Sequence, residues 1–420
     1  VIEPEHRYYG TSLPFGTESF TDDNLHLATP LQALADAASF INAKRAEFGC
    51  DPTPGSEGYC PAVTIGGSYP GWLSAMMRLR YPAVVDMAYS ASAPMYFYTQ
   101  EVDEYAYYEL ITQSAEKAVA GCASAVRAAM AAFEALPDQE SVVEAMDLCE
   151  PLPEYMDGNL EMLKDEVSMV VMYTFAGLNM GNYPPGPDTG LSQACEGFVS
   201  STDEPLAALS ALLNGYAEAS LPARRHGHGH SQVQRAASLG EGSCFSMQGQ
   251  VPDYDVAGTH DQSVTCGDWS GCGVGSDGGI WDYQTSTFLV EHIGCNGESD
   301  MFTPRNWTMD WLTEHSMTRF GTTPQPRALA DLWGFDKLAE IGATKIVFTN
   351  GLNDGWSVGG VQTDLSDTLL AVNIGDGAHH SDLSHNEPSD ADTTDVQQAR
   401  AQLGDILAGW LEQIQGKATS

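Results

Sequence analysis

Thr64-Ile-Gly-Gly-Ser-Tyr-Pro-Gly-Trp72 runs from an apolar stretch through two glycines to a serine, then into Trp72, Leu73, Met76, Met77 and Leu79, which fall largely on one helical face. Ala62 to Ile65 has the composition of a short buried strand, and Val84 to Tyr89 supplies a second. Two apolar runs flanking a helix make a βαβ unit, which requires a parallel sheet covered by helices. A serine between such a strand and helix stands at a sharp turn, its hydroxyl projecting above the sheet and the helix N-terminus facing it. Strand and helix nearly touch there, so small neighbours are needed, and Gly66, Gly67 and Gly71 provide them. The usual glycine two places after the serine is replaced by Pro70. Proline suits the first turn of a helix, where its missing N–H has no intrahelical partner to lose.

The last third of the chain repeats the theme. Lys345 to Thr349 and Leu369 to Ile374 read as buried strands, each followed by a polar, glycine-containing loop. Val396, Ala399, Leu403, Ile406, Leu407, Trp410, Leu411 and Ile414 then recur at helical spacing, so a final helix is expected on the sheet. Between these ends, residues 100–220 are rich in Ala, Glu, Leu and Met with few strand signals, as in a helical insertion. One long amphipathic stretch there spans Ala115 to Ala135. Arg224 to Gly279, rich in Gly, Ser, His and Asp, reads as irregular loops. The expected division is 1–98 and 299–420 for the two parts of an α/β domain, with 99–298 as the inserted cap and loop region.

A serine hydroxyl needs a histidine to take its proton, and the histidine needs an acid to fix its tautomer. On a parallel sheet of this kind the acid and then the histidine follow later in the chain, on loops after strands. Asp354 lies just past the strand ending at Thr349, and His379 just past the strand ending at Ile374. Asp376 and Asp382 compete for the acid's role, and His380 and His385 for the histidine's; position favours Asp354 and His379. The backbone N–H of Tyr69 is the expected donor to an oxyanion at Ser68.

Length, charge and cysteine content bound the remaining classes. The 420 residues exceed the ~250–300 at which single cores stop growing, so more than one structural unit is expected. With 57 Asp plus Glu against 18 Lys plus Arg, the formal charge of −39 repels a phosphate backbone and argues against a nucleic-acid partner. No apolar run reaches the ~18 residues of a membrane helix, and Val167 to Leu178 is the longest candidate. No signal peptide is visible, and the entry directly into Val1-Ile2 reads as if the true start lay upstream. Nine cysteines without a Cys-x-x-Cys pair point to disulfides in an oxidising compartment: Cys50 with Cys60, Cys122 with Cys149 and Cys195 with Cys295, the odd count leaving at least one thiol over. Asn306-Trp-Thr308 is the one glycosylation sequon. His226-Gly-His-Gly-His230 offers metal-ligating groups but no flanking element to hold them, so it reads as a solvated loop, and neither metal nor cofactor is expected.

Together, Glu5-His-Arg-Tyr-Tyr-Gly-Thr-Ser-Leu-Pro-Phe-Gly16, Gly66-Gly-Ser-Tyr69, Asp300-Met-Phe302, Asn350 to Ser357 with Gly359-Gly-Val361, and Gly377-Ala-His-His380 resemble the lysosomal Pro-Xaa carboxypeptidase and dipeptidyl peptidase II family of serine peptidases. The resemblance implies an α/β-hydrolase fold with an inserted helical cap, the family's N-terminal strands being missing from this chain. It implies hydrolysis next to proline, with Ser68 as nucleophile, Asp354 as orienting acid and His379 as general base. Trp356 and Met301 would wall a pocket for the proline ring, with Trp72 where relatives often carry Met. The implied partners are peptide substrates, a homodimer is admitted, and a secreted, lysosomal or vacuolar setting is expected. A catalytically impaired α/β-hydrolase that only binds peptides, suggested by Pro70, is the alternative; a lipase or esterase on the same fold lacks the joint motif set.

Overall fold

A computed structural model describes residues 1–219, 244–250, 264–384 and 388–416. The chain divides into two compact units, one of Val1–Arg7, Leu27–Val102 and Arg327–Ser420, the other of Tyr8–His26 and Asp103–Pro326. The second boundary thus falls at 326/327 rather than 298/299, and Tyr8–His26 groups with the helical unit. In chain order the helices are α1 (Asp22–Leu25), α2 (Pro30–Glu47), α3 (Tyr69–Arg80), α4 (Ala106–Ala118), α5 (Cys122–Glu134), α6 (Gln139–Met146) and α7 (Leu160–Met180). They continue as α8 (Gly190–Ser200), α9 (Pro205–Ala219), α10 (Gly275–Thr285), α11 (Met309–Phe320), α12 (Ala328–Trp333) and α13 (Thr394–Ile414). The strands are β1 (Val63–Gly67), β2 (Met87–Ala91), β3 (Ile346–Gly351) and β4 (Leu369–Ile374).

The first unit is built on the four strands in the order β1-β2-β3-β4, every neighbouring pair parallel. Its β1-α3-β2 segment is the expected βαβ unit, and the architecture is the expected mixed α/β class. β2 and β3 are buried at every position, as central parallel strands covered on both faces must be. β1 lies at one edge, where Val63 and Ile65 remain 40% and 53% exposed. α13 buries Val396, Ala399, Leu403 and Trp410 against the sheet, and Thr393 caps it by accepting from the Val396 N–H. The apolar spacing of that helix was legible because those four residues lie on one stripe.

Local chemistry moves two element ends. The strand expected over Val84 to Tyr89 begins only at Met87, because Val84 and Val85 both donate to the Tyr81 carbonyl in a turn. Asp86 then accepts from the Ala62 N–H and from Arg45, which pins the start of β2 beside that of β1. The stretch from Ala115 to Ala135 is two helices. Gly121 takes φ +88° between them, and the Glu116 carboxylate accepts from the N–H groups of Gly121 and Ala123, satisfying donors that open α5.

The second unit packs α4 to α9 together. Of the region expected to be irregular, Gly275–Thr285 forms α10 despite three glycines. Tertiary burial of Ile280, Asp282 and Tyr283 overrides a poor helix propensity. The His226–His230 cluster lies outside the described residues. Cys50–Cys60 pairs as expected, but Cys122 joins Cys195, Cys149 joins Cys244, Cys266 joins Cys272, and Cys295 is a free, buried thiol. Packing of α5 on α8 brings the first of these corrected pairs together, and a parallel bridge between Leu148 and Phe245 brings the second. Asn306 is exposed, and no described helix is long and apolar enough to cross a membrane.

Buried charge holds the segment 264–270 in this unit. Glu166, 1% exposed, accepts from the N–H groups of Val264 and Thr265 and from the Thr265 hydroxyl. Arg319 donates to the Thr265 carbonyl at 3.2 Å, while Asp282 accepts from the Gly267 N–H and pairs with His315 and Arg319. Burial pushes Asp282 up, but His315 and Arg319 outweigh it and hold the carboxyl at about 2. For Glu166 the balance is reversed: burial, then the charge of Asp165, outweigh the opposing pull of Arg305 and its hydrogen bonds and raise it to about 7.

A group whose acid form is favoured by folding binds its proton more tightly folded than unfolded, so its charge costs stability as pH rises from the unfolded value towards 7. The full cost, on the order of 3 kcal/mol, is present above that range and absent below about 4.5. Glu166→Gln keeps an oxygen for the two N–H groups and removes the titration. Its melting temperature is expected to exceed that of the parent at pH 8 by several degrees more than at pH 4.5, measured by thermal denaturation at both. An equal difference at the two pH values would show that Glu166 does not titrate there.

Candidate active site

The C-terminal ends of the parallel strands carry the site. Ser68 follows β1 at once and is half-buried, with φ +62° and ψ −133°, a backbone conformation that a non-glycine residue rarely adopts. Its N–H donates to the Ala91 carbonyl at 2.8 Å, and its own carbonyl accepts from the Trp72 N–H at 3.1 Å, so the strained residue is tied to β2 on one side and α3 on the other. Two of the surrounding glycines leave no room for a side chain. A Cβ on Gly66 would stand 2.1 Å from the Pro70 carbonyl oxygen, and one on Gly71 would stand 2.6 Å from that of Ala91. Pro70 itself is exposed in the first turn of α3 and leaves the N–H of Tyr69 in place.

Asp354 stands three residues past β3 and is fully buried. Its Oδ1 accepts from the Trp356 N–H at 3.1 Å, capping the short 3-10 turn Gly355–Gly359, and its Oδ2 accepts from His379 Nδ1 at 2.7 Å. A carboxylate can only accept, so the proton sits on Nδ1 and leaves Nε2 as the basic nitrogen. The two loops are stitched together beneath the pair, since the Asn353 N–H donates to the Gly377 carbonyl at 3.0 Å and that of Leu352 to Ile374 at 2.9 Å.

The competing residues have other partners. Asp376 accepts from Thr393 Oγ1 at 2.9 Å, beside the start of α13. Asp382 is buried and accepts on Oδ2 from Thr349 Oγ1 at 2.6 Å and from the Tyr89 hydroxyl. Burial raises Asp382 above its ordinary value, and those two donated bonds pull against it. His380 packs its ring where a Cβ on Gly67 would come within 2.8 Å, with ring centres 4.5 Å from His379. His385 lies outside the described residues.

Of the residues expected to wall the pocket, Trp72 and Trp356 belong to the first unit and Met301 to the second. Trp356, 5% exposed, meets Phe97 edge-on at 5.2 Å and has its ring centre 6.4 Å from that of His379. Trp72 is completely buried, stacked on Trp333 at 5.8 Å and on Tyr69 at 6.2 Å, with Tyr98 and Phe335 edge-on. Met301 belongs to the helical unit, where it is also fully buried and its N–H donates to Thr112 Oγ1 at 3.1 Å. His6 is a contact that reading the sequence missed: its Nε2 lies 3.2 Å from the Tyr69 hydroxyl and its Nδ1 2.6 Å from the Arg7 carbonyl. Burial, the larger effect, lowers the His6 pKa despite the bond to Arg7. Its place in the Glu5-His-Arg motif was the only available signal.

A parallel sheet with a strained serine after one strand and a buried Asp–His pair on the loops after two others defines an α/β-hydrolase. Residues 1–403 match the model of the serine carboxypeptidase S28 family, and the chain belongs to that family. It is 30% identical to the lysosomal Pro-X carboxypeptidase of Pongo abelii over 430 residues, covering 100% of this chain and 76% of the relative. It is 31% identical to that of Homo sapiens, covering 91% and 69%. The thymus-specific serine protease of Mus musculus is 26% identical, covering 99% and 75%. The chain is therefore a serine peptidase.

Proposed function

We propose that the chain is a proline-directed serine exopeptidase in which Ser68 is the nucleophile, His379 the general base and Asp354 the acid that orients it. The observation that carries this reading is the 2.7 Å bond between His379 Nδ1 and the buried Asp354, formed on the loops after β4 and β3 at the sheet end where β1 delivers Ser68. Ser68 Oγ attacks the scissile carbonyl as His379 Nε2 takes its proton; the Tyr69 N–H donates to the oxyanion. The imidazolium then protonates the leaving amine, and water attacks the acyl-enzyme with His379 again as base. Trp356 lies close enough to His379 to line the site for the residue that is acylated, and Trp72 with its aromatic neighbours stiffens the first turn of α3 beneath Ser68. The names of the relatives support cleavage after proline at a peptide's C-terminal end, and a lysosomal or secreted setting, which suits the four disulfides.

A peptide with proline second from both ends distinguishes the modes of exopeptidase action. Incubated with the purified protein and followed by mass spectrometry, it is expected to lose its single C-terminal residue. Release of an N-terminal dipeptide would instead assign aminodipeptidase action, and cleavage of a control peptide lacking proline at the same rate would remove the proline preference.

A further inference from the structure

The loop that carries His379 is fastened by one carboxylate three residues further on. Asp382 is 4% exposed and reaches back to the sheet, where its Oδ2 accepts from Tyr89 of β2 and from Thr349 Oγ1 of β3. Tyr89 pairs with Val347 and with Ile65 of β1, and Thr349 pairs with Ala91 and Val372, so both donors come from the two fully buried central strands. The same strands position the rest of the constellation. The Ala91 carbonyl of β2 receives the Ser68 N–H, and β3 runs directly into the loop bearing Asp354. Two further bonds act on the histidine loop near Asp382, and the second comes from an arginine held by its own ion pair. The His380 N–H donates to Ser92 Oγ at 2.9 Å, Arg400 Nε of α13 donates to the Asp382 carbonyl at 2.9 Å, and Arg400 also pairs with Asp392.

We propose that Asp382 is a positioning residue for the reaction: by holding the hydroxyls of Tyr89 and Thr349 it fixes the loop 375–384 in the register that places His379 between Asp354 and the nucleophile. The inference rests on the proposed role of His379. Asp382 touches no reacting atom. What it supplies is distance: hydroxyls rooted in the rigid centre of the sheet are converted into a fixed height for the imidazole, and a displacement of about 1 Å at a reacting group costs on the order of 10²-fold in rate. Both hydroxyls meet a single oxygen, so an amide oxygen in its place can still accept them, whereas a methyl group cannot.

The test compares Asp382→Ala with Asp382→Asn on a prolyl peptide, with the rate of fluorophosphonate labelling as a second readout. Asp382→Ala is expected to lower kcat and the labelling rate about 10²-fold with KM changed by less than about threefold, and Asp382→Asn to restore most of the loss. Tyr89→Phe and Thr349→Val each remove one hydroxyl and are expected to lower kcat by about tenfold in a protein that still melts cooperatively, so the proposal stays testable should the alanine variant not fold. Wild-type kcat in the alanine or single-hydroxyl variants, a change confined to KM, or equal losses in Asn and Ala would overturn it. Ser68→Ala, run alongside, separates the two readings: if that variant still turns over, the proposed triad fails, whereas a dead Ser68→Ala beside a fully active Asp382→Ala sinks the positioning role alone.

Discussion

Ser68→Ala is expected to lower kcat/KM on prolyl peptides by about 10⁴- to 10⁶-fold and to abolish labelling by a fluorophosphonate. The size follows from what the side chain does: without Oγ no acyl-enzyme forms, and only oxyanion stabilisation and substrate binding remain to assist direct attack by water. Alanine is also the substitution least able to confuse the result. Ser68 already holds φ +62° in a turn fixed by the Ala91 carbonyl and the Trp72 N–H, and alanine removes one oxygen without adding volume. The strain of the elbow stays, so the melting temperature should barely move. A variant that keeps more than about a hundredth of the parent rate would exclude Ser68 as the nucleophile, and labelling that survives would direct the search to another serine.

The parts of this site that could be read from the sequence are those whose constraints are local. Gly66 and Gly71 announce the elbow because a Cβ at either would strike a carbonyl oxygen, and the strand and helix on either side are short apolar runs of opposite period. Asp354 and His379, the proposed acid and base, were singled out by position because chemistry on a sheet of this kind sits on loops that follow strands, and β3 and β4 are apolar throughout enough of their length to be seen. What escaped depends on contacts between distant segments. Cys122 meets Cys195 and not Cys149 through the packing of α5 on α8, which no spacing discloses. The role of Asp382 depends on Tyr89 and Thr349, hundreds or tens of residues away, so it entered the reading only as a rival for the place of Asp354. α10 forms where three glycines argue for a loop, because the burial of Asp282 and Ile280 is a tertiary gain. Nor does the count of acidic residues disclose that Glu166, Asp268, Asp282 and Glu291 are buried in the helical unit.

Asp354→Asn is expected to lower kcat by about 10³- to 10⁴-fold near neutral pH while leaving the fold intact. Asp354 makes two bonds from two oxygens, one to the Trp356 N–H that caps the following turn and one to His379 Nδ1. Asparagine keeps one acceptor oxygen, and the Trp356 N–H can only donate, so the oxygen stays with the backbone and the amide NH₂ turns to the imidazole. His379 must then accept at Nδ1 and carry its proton on Nε2, the nitrogen that should receive the proton of Ser68. The base is present, correctly placed and in the wrong tautomer. Loss of the carboxylate also removes the charge that stabilises the imidazolium formed during attack, in a site where the acid is fully buried and water does not screen it. The two consequences fall on the chemical step, so KM should change little and fluorophosphonate labelling should slow in proportion to kcat. Asp354→Ala, which also deletes the cap and leaves a void, should lose melting temperature as well as rate, and the contrast between the two variants separates the electrostatic role from the structural one. A kcat for Asp354→Asn within tenfold of the parent, in a protein that melts normally, would mean that another acid orients His379.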